Sequence, residues 1–367
     1  MVIGASGQDG YFLTERLLDE GWSVHATVRH PGALGLLAES EKARGRLQIH
    51  QVELTDPGNI FDLIARERPE EIYNLAGQSS VSQSFSEPLL SWRTNADFVA
   101  LLLECIRLKT PLSRLYQASS TDMFGAGTNG DLVCNEDSVL NPQSPYASAK
   151  AAAHLLCCSY RRDYNLRIAC GILSNHESHR RRAHFLTRKI ADHVSRLSCL
   201  KPNDRELLPP LRMGNLKIRR DWGFAPDYAE GMRLILRQIK IRNARGADSG
   251  SETNKDAPVT DEGRAYRDYV LATGSTHSVS ELVDAAFRLV GFDLEWNLEG
   301  DDPTRWQGYF RSNGKVAVET DPALLRPADP MIIQVDPSRA RRDLGWSPRE
   351  GLEIFLKDML GNVAAVA

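Results

Sequence analysis

Hydrophobic and polar positions follow two rhythms along the first half of the chain. Short runs rich in β-branched and aromatic residues read as strands: Trp22 to Val28, Leu47 to Val52, Glu71 to Ala76, Arg114 to Ala118 and Leu166 to Leu173. Between them, apolar residues recur every three or four positions, which predicts helices over Tyr11 to Glu20, Pro57 to Arg66, Pro88 to Leu108 and Pro145 to Tyr164. In the first of these Phe12, Leu13, Leu17 and Leu18 share one face, and Gly21 supplies the stop. Pro57 and Pro88 have the fixed φ that suits a helix start. Met1-Val-Ile3 is apolar but short for a buried strand, so the first strand is expected to begin upstream of the recorded sequence. Alternation of this kind predicts an α/β fold, a doubly wound parallel sheet whose ligands sit beyond the carboxyl ends of the strands.

Beyond about residue 174 the rhythm loosens into scattered helices and short strands joined by arginine-rich loops. We expect two parts: residues 1–174 as the doubly wound unit, and 175–367 as a smaller mixed α/β part, some segments of which return to the first. Residues 241–265 are polar and poor in apolar side chains, the mark of a mobile surface insertion. Leu352, Phe355, Leu356, Met359 and Leu360 fall on one helical face and read as packing.

A chain of 367 residues accommodates one large domain or a nucleotide domain with a companion. Its formal net charge of −3, with 25% charged residues, argues against bulk nucleic-acid binding. No apolar run approaches the roughly 20 residues that span a bilayer, and no charged-then-apolar leader precedes Gly4, so a cytoplasmic protein without membrane attachment is expected. The six cysteines lack metal-site spacing and read as buried free thiols. No His-Glu-x-x-His occurs, and His176 and His179 lie at a strand end rather than on a helix, so no metal is predicted.

Candidate chemistry begins at Gly4-Ala-Ser-Gly7-Gln8-Asp9-Gly10. Glycines three apart permit a tight strand-to-helix turn, where a pyrophosphate meets unpaired amides and the positive end of a helix dipole. Far downstream stands Tyr146-x-x-x-Lys150. Alone, this spacing also fits a solvated pair on an amphipathic helix. Behind a glycine turn it fits alcohol oxidation: the lysine's charge lowers the tyrosine's pKa, and the tyrosine removes a hydroxyl proton near neutral pH. The second strand ends Val28-Arg29-His30, without an acidic residue for a ribose 2′-hydroxyl. Arg29 suits a 2′-phosphate instead, which favours NADP over NAD, although a plain surface charge reads the same way. Gln117-Ala-Ser119-Ser120-Thr121-Asp122 leaves the fifth strand with hydroxyls and a carboxylate where a substrate would meet a nicotinamide. By itself the string also fits a capped turn.

A series of segments then carries a family resemblance: the glycine turn with Gln8-Asp9, Asn74-Leu-Ala-Gly-Gln78-Ser79, Gln117-Ala-Ser, Ser144-Pro-Tyr146, Asn175-His176-Glu177-Ser178, Thr187-Arg-Lys189-Ile, Gly214-Asn215-Leu216, Arg220-Asp-Trp-Gly223, Ala272-Thr273-Gly274 and Arg326-Pro. In this order they resemble the GDP-mannose 4,6-dehydratase family of extended short-chain dehydrogenase/reductases, over nearly the whole chain outside 241–265 and much of 298–318. The resemblance implies a Rossmann-type NAD(P)-binding fold and a hydro-lyase for GDP-mannose or a close GDP-sugar. Its reaction would be C4 oxidation, elimination of water across C5 and C6, and hydride return to C6 with bound NADP. A 4-epimerase or 4-ketosugar reductase of the same superfamily, and a non-catalytic NADP or nucleotide-sugar binding protein, are the alternatives.

By resemblance Tyr146 takes the C4 hydroxyl proton, Ser120 bonds the C4 oxygen, Asp122 handles the C5 and C6 protons, and Lys150 binds the nicotinamide ribose. Gly4, Gly7, Gln8, Asp9, Gly10, Arg29, Glu53, Leu54, Leu75, Gln78, Ser79, His176 and Arg181 are implied around NADP, with a structural histidine as the alternative for His176. Asn175, Lys189, Arg220 and Arg326 are implied to face the nucleotide sugar. Departures are specific. Asp122 replaces a glutamate, Glu53 an aspartate near the adenine, and Leu325-Arg326-Pro327 lacks the family's tyrosine. The segment associated with tetramers reads Arg29-His-Pro-Gly. The apolar faces over 96–106 and 147–158 suit a four-helix contact, so a homodimer or higher homo-oligomer is expected.

Overall fold

The computed structural model describes residues 1–56, 58–126, 133–201, 205, 208–247, 267–326 and 329–361, with backbone alone over 238–247. Its centre is a seven-stranded parallel sheet: β1 (Val2–Ile3), β2 (Val24–Val28), β3 (Leu47–Gln51), β4 (Glu71–Asn74), β5 (Arg114–Ser120), β6 (Arg167–Leu173) and β7 (Tyr269–Leu271). The order is β7-β6-β5-β4-β1-β2-β3, so the chain reverses direction beside β1 and opens a crevice there. β1 is short, yet Val2 and Ile3 are fully buried between β2 and β4. The alternating pattern identified six of the seven strands. β7 escaped because it arrives from the second half of the chain, pairing Tyr269, Val270 and Leu271 with Gly171, Ile172 and Leu173.

Helices cover both faces. On one side α1 (Gln8–Asp19) packs against α6 (Ala225–Ala247), around Leu13, Leu17, Leu18, Met232 and Ile235. On the other lie α2 (Gly58–Glu67), α3 (Phe98–Lys109) and α4 (Pro145–Asp163), around Ile60, Leu63, Phe98, Leu102, Ile106 and Cys157. The stretch predicted as one helix from Pro88 to Leu108 is interrupted by a π turn at Arg93–Asp97. α4 opens on Ser144, whose Oγ accepts the Ala147 N–H at 3.1 Å, with Pro145 in the first turn. Both the cap and the proline fix where the helix begins, and hence where Tyr146 stands.

The smaller lobe is built on α5 (Leu186–Cys199), α7 (Val279–Leu289), α8 (Leu352–Leu360) and a four-stranded sheet, Leu294–Asn297, Gln307–Phe310, Val316–Thr320 and Leu211–Met213. The apolar face expected on α8 is buried here, with Phe355 and Leu356 fully enclosed against α5 and α7. Ser278 and Glu281 form a reciprocal capping box on α7, at 3.0 and 2.8 Å. Of the stretch expected as an insertion, 241–247 continues α6; residues 248–265 lie outside the described residues, as does Pro57. Cys105, Cys134, Cys157 and Cys170 are buried thiols, but Cys158 is half-buried and Cys199 exposed, contrary to the expectation of six buried ones.

Candidate active site

The crevice beside β1 holds the glycine turn. Gly4 has φ +86°, and a Cβ on Gly10 would stand 2.3 Å from the Gly4 carbonyl oxygen, so the turn closes only with glycine there. α1 starts at Gly7 without a side-chain cap, leaving its first amides toward the cleft. Asp9 would oppose an anion in that position, but His176 neutralises it: Nε2 lies 2.9 Å from Asp9 Oδ1. Burial works against both charges. The pair overcomes it, holding the Asp9 pKa below its ordinary range and that of His176 above its own. Gln8 ties the turn to the same segment, donating to the His176 carbonyl at 2.8 Å and accepting from Ser178 Oγ at 2.9 Å.

The motifs that looked most specific in the sequence turn out to be neighbours. Strand Asn175–Glu177 pairs in parallel with Trp222–Phe224, so Asn-His-Glu-Ser and Arg-Asp-Trp-Gly lie side by side. Gly223 leaves room for the Tyr228 ring, which a Cβ would meet at 2.3 Å, and that ring stacks on His176 with centroids 4.3 Å apart. Asp221, buried, accepts from Ser174 Oγ at 3.0 Å and from the amides of Thr273 and Gly274 at 3.1 and 2.7 Å. Three separate motifs therefore lock the junction of the lobes and carry His176 and Arg220 into the cleft.

Facing them, β5 ends at Ser120, whose Oγ accepts the Asp122 N–H at 3.2 Å and donates to Asp122 Oδ2 at 3.1 Å. The Ser120 hydroxyl also works to lower the pKa of the Tyr146 phenol. Lys150, one turn beyond Tyr146, donates to the Ala118 carbonyl at 3.0 Å, with its ammonium 5.9 Å from the Tyr146 ring centre. Burial pulls Lys150 down to about 8. Burial and the Asp122 carboxylate raise the phenol above its ordinary value, opposed by Ser120 and Arg181. Asp122 is itself raised by burial, against Arg220, Ser120 and Arg326. Arg220 is held at 2.6 Å by Asp329, with Arg326 3.7 Å from the same carboxylate oxygen.

Gly7, Gln8, Asp9, Gly10, Leu75, Ser79, Ser120, Asp122, Tyr146, Lys150, Asn175, His176, Arg181, Arg220 and Arg326 line one continuous cleft. Other candidates do not. Gly4 lies beneath the turn. Gln78 turns its amide onto Ser80 O at 2.7 Å, fastening its own loop. Lys189 donates to the Arg212 carbonyl at 2.6 Å, away from the cleft. Glu53 and Leu54 follow β3 outside it, and Arg29 stands exposed at its edge, close enough to Arg182 to lower that residue's pKa together with burial and Arg181. Arg182 and Glu177 line the cleft without having been singled out. Glu177 was visible inside a quoted motif; Arg182 sat in an arginine-rich run that gave no cue to which member turns inward.

The chain is similar to known proteins over nearly its whole length. The family model for GDP-mannose 4,6 dehydratase matches residues 1–257 and 259–359. A GDP-mannose 4,6-dehydratase of Sinorhizobium fredii is 35% identical over 94% of this chain and 91% of its own, and one of Drosophila melanogaster 33% identical over 98% and 84%. A dTDP-glucose 4,6-dehydratase from Streptomyces venezuelae superposes with a TM-score of 0.72 at 19% identity, covering 98% of this chain and 94% of its own, which bears on the fold alone. The matched span and these identities place the chain in the GDP-mannose 4,6-dehydratase family, as a hydro-lyase of that type.

Proposed function

We propose that Tyr146, Ser120, Asp122 and Lys150 carry out the 4,6-dehydration of GDP-mannose or a close GDP-sugar in this cleft. The observation that carries the reading is their meeting, from the end of β5 and the start of α4, opposite Arg220 and Arg326 and beside the glycine turn. That turn, which any side chain on Gly10 would fill, fits NADP. NADP supplies, when bound, the redox capacity lent at C4 and returned at C6. Tyr146 accepts the C4 hydroxyl proton, and Ser120 holds the C4 oxygen. A C4 ketone acidifies the C5 proton, which Asp122 removes, later protonating the departing C6 hydroxyl; the proton that Tyr146 took from the C4 hydroxyl then goes to C5 as C6 is reduced, so the site ends as it began. The raised Asp122 pKa suits a group that both takes and gives a proton. Arg220 and Arg326 offset the diphosphate charge. Incubation with GDP-mannose and NADP should yield a C6 methyl beside a C4 ketone by NMR; a changed C4 configuration alone would replace this reading with epimerisation.

Arg29 and Arg182 support a 2′-phosphate site at the cleft edge. Arg29→Ala should weaken NADP by about tenfold and leave NAD unaffected, as measured by fluorescence titration; equal losses would remove the assignment.

The Asp9–His176 pair makes cofactor binding depend on pH. Below the raised His176 pKa the imidazolium cancels Asp9, and the pair's contribution to stability is complete at pH values under the ordinary histidine 6.5. As pH rises through the raised value the proton leaves, that contribution is lost, and Asp9 confronts the diphosphate as a bare anion. NADP affinity should therefore fall with rising pH, by roughly tenfold. In Asp9→Asn the same titration should be flat.

The exposed Leu101 on α3 and Leu155 on α4, 39% and 56% accessible, with Leu89 and Trp92 beside them, support a homodimer through these helices. The wild-type mass in solution should be that of two chains, and Leu101→Glu with Leu155→Glu should halve it. No helix among the described residues is long and apolar enough to cross a membrane. Six cysteines without a disulfide support a cytoplasmic setting.

A further inference from the structure

α4 carries Tyr146, Lys150, His154 and Cys158 at four-residue intervals, one stripe running from the cleft into the protein. The reaction above uses the first two. His154 is buried, with Nδ1 3.0 Å from the Oγ of Ser119, a buried cleft residue next to Ser120. Its Nε2 faces Asp268 Oδ2 at 4.0 Å. Asp268 leads into β7 and is gripped by Arg161 through both oxygens at 2.7 Å each, and by the Cys170 amide at 2.8 Å.

His154, Cys158 and Asp268 bring ligand atoms within 4.8 Å of one another, a spacing that a metal would accept. The chemistry does not fit one. Arg161 already occupies both carboxylate oxygens, and burial with Asp268 pushes the Cys158 thiol up to about 11, away from the thiolate a metal needs. The cluster is instead a chain of hydrogen-bonding and charged groups from Arg161 through Asp268 and His154 to Ser119.

We propose that His154 is a positioning residue for the dehydration: bonded to Ser119 and faced by Asp268, it fixes the Ser119 hydroxyl and the end of β5, from which the Ala118 carbonyl holds Lys150 and Ser120 holds Asp122 beside Tyr146. This rests on the dehydratase reading of the cleft. Asp268, an anion held by Arg161, stands 4.0 Å from Nε2, beyond hydrogen-bond reach, and its charge favours the ring proton on that side. In the neutral ring Nδ1 accepts from Ser119; in the imidazolium it donates, and the serine proton is released toward the cleft. The groups facing the ring are Ser119 from β5, Asp268 before β7, Arg161 and Cys158 from α4, and Cys170 from β6. The state of His154 therefore sets which way the hydroxyl beside Ser120 points.

The test compares wild type with His154→Phe, His154→Asn, Ser119→Ala and the double variant His154→Phe/Ser119→Ala. Expected are losses in kcat of about tenfold for His154→Phe and Ser119→Ala, with KM and NADP affinity unchanged, and a double variant no worse than either single one, because one bond is removed twice. Asparagine, whose amide stands where Nδ1 does, should restore most of kcat without the histidine's inflection in the pH profile. Ser119→Ala leaves the His154–Asp268 contact in place and guards against a His154→Phe protein that does not fold. Unchanged kcat, losses that multiply in the double variant, or an asparagine variant as poor as phenylalanine would overturn the proposal. A readout independent of turnover is the NMR titration of Lys150 near pH 8, expected to shift in His154→Phe and return in His154→Asn; no shift overturns the positioning role. Wild-type protein that forms no C6 methyl would instead remove the dehydratase reading, while the Lys150 titration still decides the role of His154.

Discussion

Tyr146→Phe should lower kcat by about 10²–10⁴-fold while leaving NADP affinity and the fold unchanged. The ring is buried at the start of α4 and is kept by phenylalanine; only the hydroxyl goes. That hydroxyl belongs to a cleft-lining side chain and is the group proposed to take the C4 proton. Because C4 oxidation precedes every other step, the variant should form neither a C4 ketone nor a C6 methyl, and C5 should not exchange with D2O. The raised phenol pKa sharpens the expectation. A group that burial and Asp122 hold protonated depends on the fully assembled site to act as a base, so replacement of Ser120 by alanine should also cost activity. Turnover within tenfold of wild type in Tyr146→Phe would remove the tyrosine from the mechanism.

Asp122→Ala should abolish elimination, again by about 10²–10⁴-fold, but at a later point. C4 oxidation remains open to Tyr146, so a single turnover should leave a 4-keto sugar that retains its C6 hydroxyl and shows no C5 exchange. Asp122→Asn, which preserves the bond length to Ser120 but removes the base, should behave alike. The aspartate is one methylene shorter than the family's glutamate, a retreat of roughly 1 Å. Its surroundings say how this is accommodated. Thr121 and Met123 are buried while Asp122 borders the open cleft, and its carboxylate is tied to Ser120 rather than to the wall. A longer side chain therefore extends into the cleft, and Asp122→Glu should keep activity within about tenfold of wild type. An Asp122→Ala protein with unchanged turnover would sink the assignment.

Much of this was legible in the chain. The two periods of hydrophobic positions gave the alternating elements because each element must bury one face, and burial leaves a local imprint. The glycine turn was legible because Gly4 and Gly10 meet backbone that admits no Cβ. The resemblance implied roles for Ser120, Asp122 and Tyr146, and several of its motifs fasten the lobes while others line the cleft. Asp221 accepts the Thr273 amide across the junction and Gly223 seats the Tyr228 ring, so each of these residues has a packing or bonding task of its own.

What the sequence by itself determined is the doubly wound sheet, the turn at the mouth of β1 and the order of the site residues along the chain, since each depends on spacing within a few residues. Tertiary structure alone decided which candidates share the cleft: Arg220 and Arg326 enter it, whereas Lys189 reaches a backbone carbonyl elsewhere and Gln78 secures its own loop. It also decided the charge states, because burial and partners more than a hundred residues away set them. Asp9 is tolerable at a phosphate turn only because His176 stands 2.9 Å from it, and His154 acquires its place only when β7 brings Asp268 beside α4. Desolvation and Coulomb attraction act across space, and no local pattern along the chain records them.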